Sequence, residues 1–242
     1  MKSSILNLPQ LTAQYTSSTI SFASTCLLAI GGRTPALGWL RLAAAGRTIW
    51  AVDRGLASLK EADLLPARII GDGDSAPQDA WEWGERLAVP IDRFPPEKDW
   101  TDTQLALRKA ADSGFSAALL TGAFGGRFDH AFSTVFTAAH ASIRCVLADE
   151  RETMLFLKDG ERILFTCHDT PLAISLLPVS ERVSGVCAEN LHWPLQKSVL
   201  AQQEPAAISN VLHGASRSFS VSIERGLLAL YFCWAEQSPN CL

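Results

Sequence analysis

The sequence predicts an α/β protein in which an N-terminal open, mostly parallel α/β/α sheet domain is followed by a C-terminal antiparallel β-sandwich. Two observations support this division. As far as about residue 147, short apolar runs alternate with segments of helical length, which is typical of a parallel sheet covered on both faces. After residue 150, short runs and turns follow one another without a helical pattern. We therefore expect an N-terminal extension at 1–24, the α/β domain at 25–149 and the β-sandwich at 150–242.

Five runs in the first half are candidates for buried strands, because each is apolar and stops at a polar residue or a glycine. They are residues 26–30, 48–52, 68–70, 117–120 and 144–147. Four segments between them have helical spacing, namely 37–45, 77–87, 103–113 and 128–141. In the last segment Phe128, Phe132 and Phe136 belong to one apolar stripe. Thr101 and Gln104 match a capping box that opens the third helix.

Six further runs predict the strands of the second half. They are residues 154–157, 163–165, 172–177, 182–187, 218–223 and 227–232. The dipeptide Asp159-Gly160 lies between the first two runs, and Arg225-Gly226 lies between the last two. Because such dipeptides favour tight two-residue turns, both positions predict β-hairpins.

Composition excludes several classes of protein. The 242 residues include 21 basic and 25 acidic side chains, so the net charge of −4 offers no bulk attraction for nucleic acid or an anionic membrane. The six cysteines include no Cys-x-x-Cys pair, which fits neither a zinc site nor a disulfide scaffold. The chain shows no signal peptide, and no apolar run is long enough to cross a bilayer. We expect a cytoplasmic protein.

Polar residues follow the predicted strands, at the edge where open α/β sheets bind ligands. Asp53 closes one strand, and Asp72 and Asp74 follow the next. In extended backbone, residues two apart point to the same side, so these two carboxylates would repel each other unless a cation lay between them. Hard oxygen ligands suit Mg²⁺. The alternative is a solvated turn, since Asp and Gly are common turn formers.

Charged residues also precede the third predicted helix. Asp102 would lie in its first turn, where the helix dipole favours an anion, and this is a sufficient structural reason for it. Lys98 and Asp99 have no such reason, so they favour a ligand site. The segment 31–33, Gly-Gly-Arg, is either a weaker ligand loop or an ordinary strand-to-helix turn.

The most informative segment joins a strand to the fourth predicted helix. Gly125 and Gly126 let the backbone approach a ligand closely, and a helix N-terminus attracts phosphate. Arg127 can form a forked pair of hydrogen bonds with phosphate oxygens. Asp129 and His130 could orient neighbouring groups or a ligand. The alternative is a glycine turn with Asp129 as the helix cap.

In this order, segments 71–75, 97–102 and 125–130 resemble the thiamine pyrophosphokinase (thiamine diphosphokinase) family. Weaker counterparts of the family's β-rich tail lie at 191–195 and 208–210, so the resemblance spans roughly residues 26–232. The family transfers the diphosphoryl group of ATP to thiamine, giving thiamine diphosphate and AMP. It works as a homodimer whose active site is shared between subunits. The resemblance thus implies a nucleotide-binding catalytic α/β domain and a thiamine-binding β-sandwich.

The resemblance also implies roles for individual residues. The implied catalytic residues are Asp72, Asp74, Asp99, Asp102 and Arg127, and the Mg²⁺ ligands among them are Asp72, Asp74 and Asp102. The implied ATP and phosphate contacts are Asp53, Lys98, Gly125, Gly126, Arg127, Asp129 and His130. The implied thiamine contacts are Trp193, Ser209 and Asn210. By composition alone, Trp193 would be a core aromatic residue or a dimer contact, and Ser209 and Asn210 would form a turn.

Two positions depart from the family pattern. Arg54 stands in a segment that is usually Asp-Gly-Gly, and Gly73 stands where the family often has a large apolar residue. Because of these two departures, the sequence does not identify the residues that contact the purine ring of ATP. Two alternative functions use the same residues: another Mg²⁺-dependent phosphate-transferring enzyme, or a regulator that binds nucleotide or thiamine without catalysis. The second would bind its ligands without releasing AMP.

Overall fold

The structure is a computed structural model that describes residues 4–17, 20–94 and 99–235. Within these ranges the chain forms fifteen strands and five α-helices. In chain order they are β1 (Ile5–Asn7), β2 (Leu11–Tyr15), β3 (Thr25–Ala29), α1 (Leu37–Ala44), β4 (Thr48–Val52), α2 (Gly55–Glu61), β5 (Arg68–Ile70), α3 (Gln78–Arg86), β6 (Ile91–Asp92), α4 (Asp102–Asp112), β7 (Ala117–Thr121), α5 (Phe128–His140), β8 (Arg144–Ala148), β9 (Glu152–Leu157), β10 (Arg162–Cys167), β11 (Pro171–Pro178), β12 (Arg182–Glu189), β13 (Leu195–Ala201), β14 (Ser218–Ser222) and β15 (Leu228–Trp234).

The chain divides into two compact units. One unit is Ser24–Asp149, and the other joins Met1–Ala23 to Glu150–Leu242. In the first unit, six parallel strands lie in the order β8-β7-β3-β4-β5-β6. Helix α2 packs against β3 and β4, α4 against β4 and β7, and α5 against β8. The strand order reverses between β3 and β7, which is where open α/β sheets bind ligands.

The α/β pattern predicted for the first half is confirmed. Strands β3, β4, β5, β7 and β8 and helices α1, α3, α4 and α5 lie at the predicted positions, with end residues shifted by at most one. The predicted capping box is present at α4, because Thr101 Oγ1 accepts from Gln104 N at 3.3 Å and Gln104 Oε1 accepts from Thr101 N at 2.9 Å. Helix α2 and strand β6 were not predicted, since both are too short to show a period.

The aromatic stripe of helix α5 is exposed to solvent. Phe128, Phe132 and Phe136 are 79%, 55% and 36% exposed, and their neighbouring ring centroids lie 5.8 and 4.9 Å apart. The buried face consists of small residues such as Ala138 and Ala139, which allow the helix to lie close to the sheet. In the part of the chain that is described, no helix is long and apolar enough to cross a membrane.

The second unit is built from antiparallel strands. One sheet has the order β1-β2-β10-β14-β12-β13, and strands β11, β15 and β9 form a second antiparallel set. Phe165 and Phe219 of the first sheet stack at 4.8 Å, and both contact Phe232 of the second set, at 5.1 and 5.9 Å between centroids. All three rings are fully buried. Strands β1 and β2, from the segment expected only as an extension, belong to this unit through the pairing of β2 with β10.

Both predicted hairpins are wrong. Strands β9 and β10 belong to different sheets, and so do β14 and β15. The turns themselves exist, and each supports the other: Gly160 N donates to Glu224 O at 3.1 Å, and Gly226 N donates to Asp159 Oδ1 at 2.6 Å. The local sequence therefore specifies a tight turn, but the pairing partner of each strand is decided by the apolar faces that must be buried together.

Candidate active site

Two loops meet where the strand order of the parallel sheet reverses. Gly32, after β3, donates its N–H to the carbonyl of Gly122, after β7, at 2.7 Å, and Arg33 N donates to Phe124 O at 2.7 Å. A Cβ atom on Gly32 would lie 2.3 Å from the Gly122 oxygen, so this approach requires glycine. The loop that leads to α5 is therefore held by the backbone of the loop after β3.

Arg33 links the same region to a third strand, because its partner Asp149 follows β8. Its Nη2 and Nε donate to Asp149 Oδ2 at 2.5 and 3.2 Å, and the Asp149 side chain has no exposed surface. A Cβ on Gly125 would lie 2.8 Å from Arg33 Cβ, so the glycine loop rests on this side chain. The sequence indicates a weak ligand loop at 31–33, but it does not show that Arg33 pairs with Asp149.

The glycine loop presents its backbone to the outside. Gly125 and Gly126 are exposed, with φ of 71° and 70°, and Phe128 begins α5 directly after the N-cap residue Arg127. The alternative that Asp129 is the helix cap is therefore wrong. Asp129 lies inside the first turn and accepts from His130 N at 3.0 Å. The helix N-terminus and the glycine amides can face an anion here.

Arg127 forms a forked ion pair with Asp129. Its Nε and Nη2 donate to the two carboxylate oxygens at 3.1 and 2.6 Å, and both side chains are mostly exposed. The hydrogen bond from Arg127 lowers the pKa of Asp129, and the same pairing raises the pKa of Arg127. Arg127 is thus charged and oriented, but a phosphate would have to replace Asp129 as its partner.

The turn after β5 brings two carboxyl groups together. Asp74 N donates to Asp72 Oδ1 at 3.0 Å, and the intervening Gly73 has a φ of 85°. The pKa of Asp74 is raised, mainly by its side-chain hydrogen bond with Asp72 and by the charge of Asp72, and to a smaller extent by the charge of Asp102 at the start of α4. Asp74 is therefore within electrostatic reach of both Asp72 and Asp102.

The other site residues that the sequence predicts in this unit are Asp53, Lys98, Asp99 and His130. Asp53, with φ of 46°, lies beside this turn, because a Cβ on Gly71 would lie 1.7 Å from Asp53 Oδ1. Asp99 and His130 are exposed. Lys98 lies outside the described residues. Within residues 4–17, 20–94 and 99–235, no group of three or more His, Cys, Asp or Glu side chains is arranged so that it could hold a metal ion.

The predicted thiamine residues of the second unit form one local arrangement. Asn210 is buried, and its Nδ2 donates to Trp193 O at 2.7 Å while its Oδ1 accepts from Trp193 N at 3.1 Å and Val211 N at 2.9 Å. The Trp193 side chain is 57% exposed, with the His192 ring edge-on at 4.4 Å. Asn210 therefore clamps the backbone of Trp193 and leaves the indole accessible.

Ser209 occupies a backbone conformation that is uncommon for a residue with a side chain. Its φ is 59°, and its N–H donates to Ser175 Oγ at 3.0 Å. The residues on either side of this bend are tied to β11, because Ile174 and Asn210 exchange two backbone hydrogen bonds at 2.7 and 2.8 Å. The bend is thus held in place by its neighbours on the strand.

Known proteins match this chain over both units. Residues 40–147 match the family described as "Thiamin pyrophosphokinase, catalytic domain". A Bacillus subtilis (strain 168) protein named thiamine pyrophosphokinase is 26% identical over 187 residues, which cover 76% of this chain and 86% of that protein. The chain is therefore similar to the thiamine pyrophosphokinase family. The matched range contains the turn after β5 and the glycine loop, so the resemblance carried by those motifs is confirmed.

Solved structures of thiamine pyrophosphokinases share the fold. The Bacillus subtilis structure is 22% identical, with a TM-score of 0.76, and covers 87% of this chain and 99% of its own. The Geobacillus thermodenitrificans structure is 25% identical, with a TM-score of 0.73, and covers 90% and 99%. The fold similarity therefore extends well beyond the residues matched by the catalytic-domain family.

Proposed function

We propose that the protein is a thiamine diphosphokinase, which transfers the diphosphoryl group of ATP to thiamine and gives thiamine diphosphate and AMP. The similarity to thiamine pyrophosphokinases supports the reaction. The observation that carries the site is the turn after β5, where Asp74 is hydrogen-bonded to Asp72 and is also affected by the charge of Asp102. Reactions of this kind depend on positioning and on neutralising phosphate charge, so a cation site and a glycine loop that both follow strands of one parallel sheet suit them.

The proposed cofactor is Mg²⁺, with Asp72, Asp74 and Asp102 as its carboxylates. Carboxylate oxygens are the preferred protein ligands of this ion, and a cation would relieve the repulsion between Asp72 and Asp74. Because no three such side chains of the described residues are gathered around one point, Asp72, Asp74 and Asp102 would have to move together when the ion binds. When bound, Mg²⁺ supplies positive charge against the phosphate oxygens of ATP. The protein's own part is to hold the carboxylates, with Asp53 and Asp99 proposed beside them.

The proposed phosphate site is the glycine loop. The exposed backbone of Gly125 and Gly126 and the N-terminus of α5 attract an anion, and Arg127 supplies a fixed positive charge. Phosphate and Asp129 compete for the same guanidinium, so ATP would release Asp129 from its ion pair. Lys98 and His130 are proposed phosphate contacts on the family resemblance.

The proposed thiamine site uses Trp193, Ser209 and Asn210. The exposed indole of Trp193 can attract the cationic thiazolium ring of thiamine through its π face. Asn210 would act through Trp193, since its side chain already bonds to the Trp193 backbone. Following the family, we propose that these residues belong to a β-sandwich and serve the active site of the other subunit of a homodimer.

The exposed aromatic face of α5 supports the proposed homodimer. With 150–250 Å² per aromatic side chain, Phe128, Phe132 and Phe136 leave roughly 350 Å² of apolar surface, against about 800 Å² for one side of a specific interface. A groove of about 700 Å³ between α4 and α5 continues this face as far as Trp100. Phe132→Asp should convert the dimer to monomers in analytical ultracentrifugation, whereas Leu42→Asp, at an exposed position on α1, should not.

The reaction is tested by incubating the purified protein with ATP, Mg²⁺ and thiamine and identifying the products by mass spectrometry. We expect AMP and thiamine diphosphate in equal amounts. ADP with thiamine monophosphate, or phosphate release that does not need thiamine, would point to the other Mg²⁺-dependent phosphate-transferring enzyme. Binding of ATP and thiamine without AMP release would point to the regulator.

A further inference from the structure

Trp81 of helix α3 lies against the turn that carries the two carboxylates. A Cβ atom built on Gly73 would lie 2.6 Å from Trp81 Cδ2 and Cε2 and 2.9 Å from Cε3. These distances are too short for any side chain, so the indole occupies the space directly beside the Gly73 Cα atom. Gly73 is the one residue between Asp72 and Asp74 in the chain, so the ring supports the middle of the turn.

The indole is itself held in place by two other side chains. Trp81 Nε1 donates to Glu85 Oε1 at 3.0 Å, one helical turn along α3. Arg93, after β6, donates from Nη2 to the same Glu85 oxygen at 2.5 Å, and its guanidinium lies 5.2 Å from the Trp81 ring centroid. The ring therefore has a hydrogen bond, a cation–π contact and a backbone contact, which together restrict its rotamer.

We propose that Trp81 is a positioning residue that keeps the carboxylates of Asp72 and Asp74 close enough to bind a divalent cation together. Like charges on the two side chains favour a wider turn, and a glycine with positive φ offers little resistance to that change. The indole fills the space into which the Gly73 backbone would move. The inference rests on the proposed function in one respect, which is that the bound cation is the one that accompanies ATP.

Direct metal binding tests this role without turnover. Mn²⁺ binding to the purified full-length protein, followed by electron paramagnetic resonance without nucleotide, should weaken about tenfold or more in Trp81→Ala, as is typical when support for a ligand is removed. Trp83→Ala is the matched control, because Trp83 is a half-buried tryptophan on the same helix. We expect it to bind Mn²⁺ within about twofold of the wild-type protein. Equal losses in both variants would overturn the proposal.

A second variant leaves the ring in place but removes its partners. Glu85→Ala deletes the acceptor shared by Trp81 and Arg93 on the exposed side of α3. It should fold normally and weaken Mn²⁺ binding about threefold, because the indole gains rotamer freedom. Unchanged affinity in this variant would contradict the positioning role, even if Trp81→Ala failed to fold.

A double-mutant cycle isolates the contact between Gly73 and Trp81. Gly73→Ala meets two penalties, the positive φ and the clash with the indole, and only the clash disappears in the Trp81→Ala background. The loss of Mn²⁺ affinity caused by Gly73→Ala should therefore be several-fold smaller in that background. Additive losses would overturn the proposal.

The outcomes also separate this inference from the proposed function. A wild-type protein that binds Mn²⁺ and shows coupling between positions 73 and 81 but forms no thiamine diphosphate would contradict the function and leave the positioning role intact. An active enzyme in which Trp81→Ala matches Trp83→Ala would contradict the positioning role alone. A wild-type protein that binds no Mn²⁺ would overturn the cation site and the inference together.

Discussion

The turn after β5 and the clamp around Trp193 use polar side chains in opposite ways. At the turn, Asp72 and Asp74 lie close together, and the pKa of Asp74 is raised first by its side-chain hydrogen bond with Asp72 and then by the charge of Asp72. At the clamp, the buried Asn210 side chain makes hydrogen bonds to the backbone of Trp193 and Val211, and the exposed group is the apolar indole. We propose that the first region binds a cation, whereas the side chain of the second stabilises its own backbone and leaves an indole ring exposed.

The largest expected effect separates the two regions most clearly. Asp72→Asn and Asp74→Asn should each lower kcat/KM by at least about a hundredfold, because the cation loses a charged ligand. The melting temperature should stay the same or rise, since each change removes a repulsion. Asp112→Asn, at the end of α4, is the control. Near-normal kinetics of both site variants would remove the metal assignment.

The ion pair of Arg127 with Asp129 differs from both regions, because its charges attract each other and it is exposed. Arg127→Ala should raise the KM for ATP about tenfold and leave thiamine affinity unchanged, because a charge-assisted contact is lost only from phosphate. Its pair with Asp129 is exposed, so the melting temperature should hardly change. Steady-state kinetics with each substrate varied in turn provide the measurement, with Arg86→Ala on α3 as the control. If only the KM for thiamine changed, the assignment of Arg127 to ATP would be wrong.

Substitutions of Trp193 and Asn210 should both weaken thiamine binding, but only the substitution of Asn210 should lower the stability of the fold. Trp193→Ala should weaken thiamine binding several-fold, as expected from the loss of a cation–π contact, without altering the melting temperature. Asn210→Ala should weaken binding by a similar factor and also destabilise the fold by about 1–3 kcal/mol, because buried backbone groups lose their partners. Calorimetric titration and thermal unfolding measure the two effects. If Asn210→Ala lost affinity but no stability, Asn210 would contact thiamine directly.

The smallest effect concerns the protonation of Asp74. Carboxyl-carbon NMR of the metal-free protein should show that the pKa of Asp74 is higher than that of an ordinary aspartate, because its hydrogen bond with Asp72 and the charges of Asp72 and Asp102 disfavour its charged form. Asp72→Asn should lower this midpoint, and Asp102→Asn should lower it less, since Asp102 contributes the weaker effect. An unchanged midpoint in Asp72→Asn would mean that the two carboxyl groups are independent.

The fold could be predicted where the pattern of burial decides the structure. The buried runs that stop at Gly31, Asp53 and Gly71 are strands, because only a strand buries such a short apolar run on both faces. Strand β13 escaped notice because its residues, which include Gln196 and Lys197, are polar and largely exposed. The direction of the α5 stripe was also out of reach, because spacing shows that a helix has two faces but not which face meets the sheet.

The candidate site shows the same limit at the level of single residues. The sequence places Asp72 and Asp74 side by side because their separation is local. It could not show that Arg33 reaches Asp149, since 116 positions separate them, or that Asn210 turns to the backbone of Trp193. Gly73 and Trp81 are only eight positions apart, but their contact also depends on how α3 packs against the turn. Contacts between distant parts of the chain depend on packing, which no spacing rule contains.

The backbone bonds between the loops after β3 and β7 restrict how this protein can vary. Ile30, Gly32 and Arg33 donate to Thr121, Gly122 and Phe124, so the two loops continue the ladder of their strands beyond the sheet. A residue inserted into one loop would put every later donor out of step with its acceptor. Length changes here must therefore arise in pairs, and a graft of the glycine loop into another scaffold would need both segments.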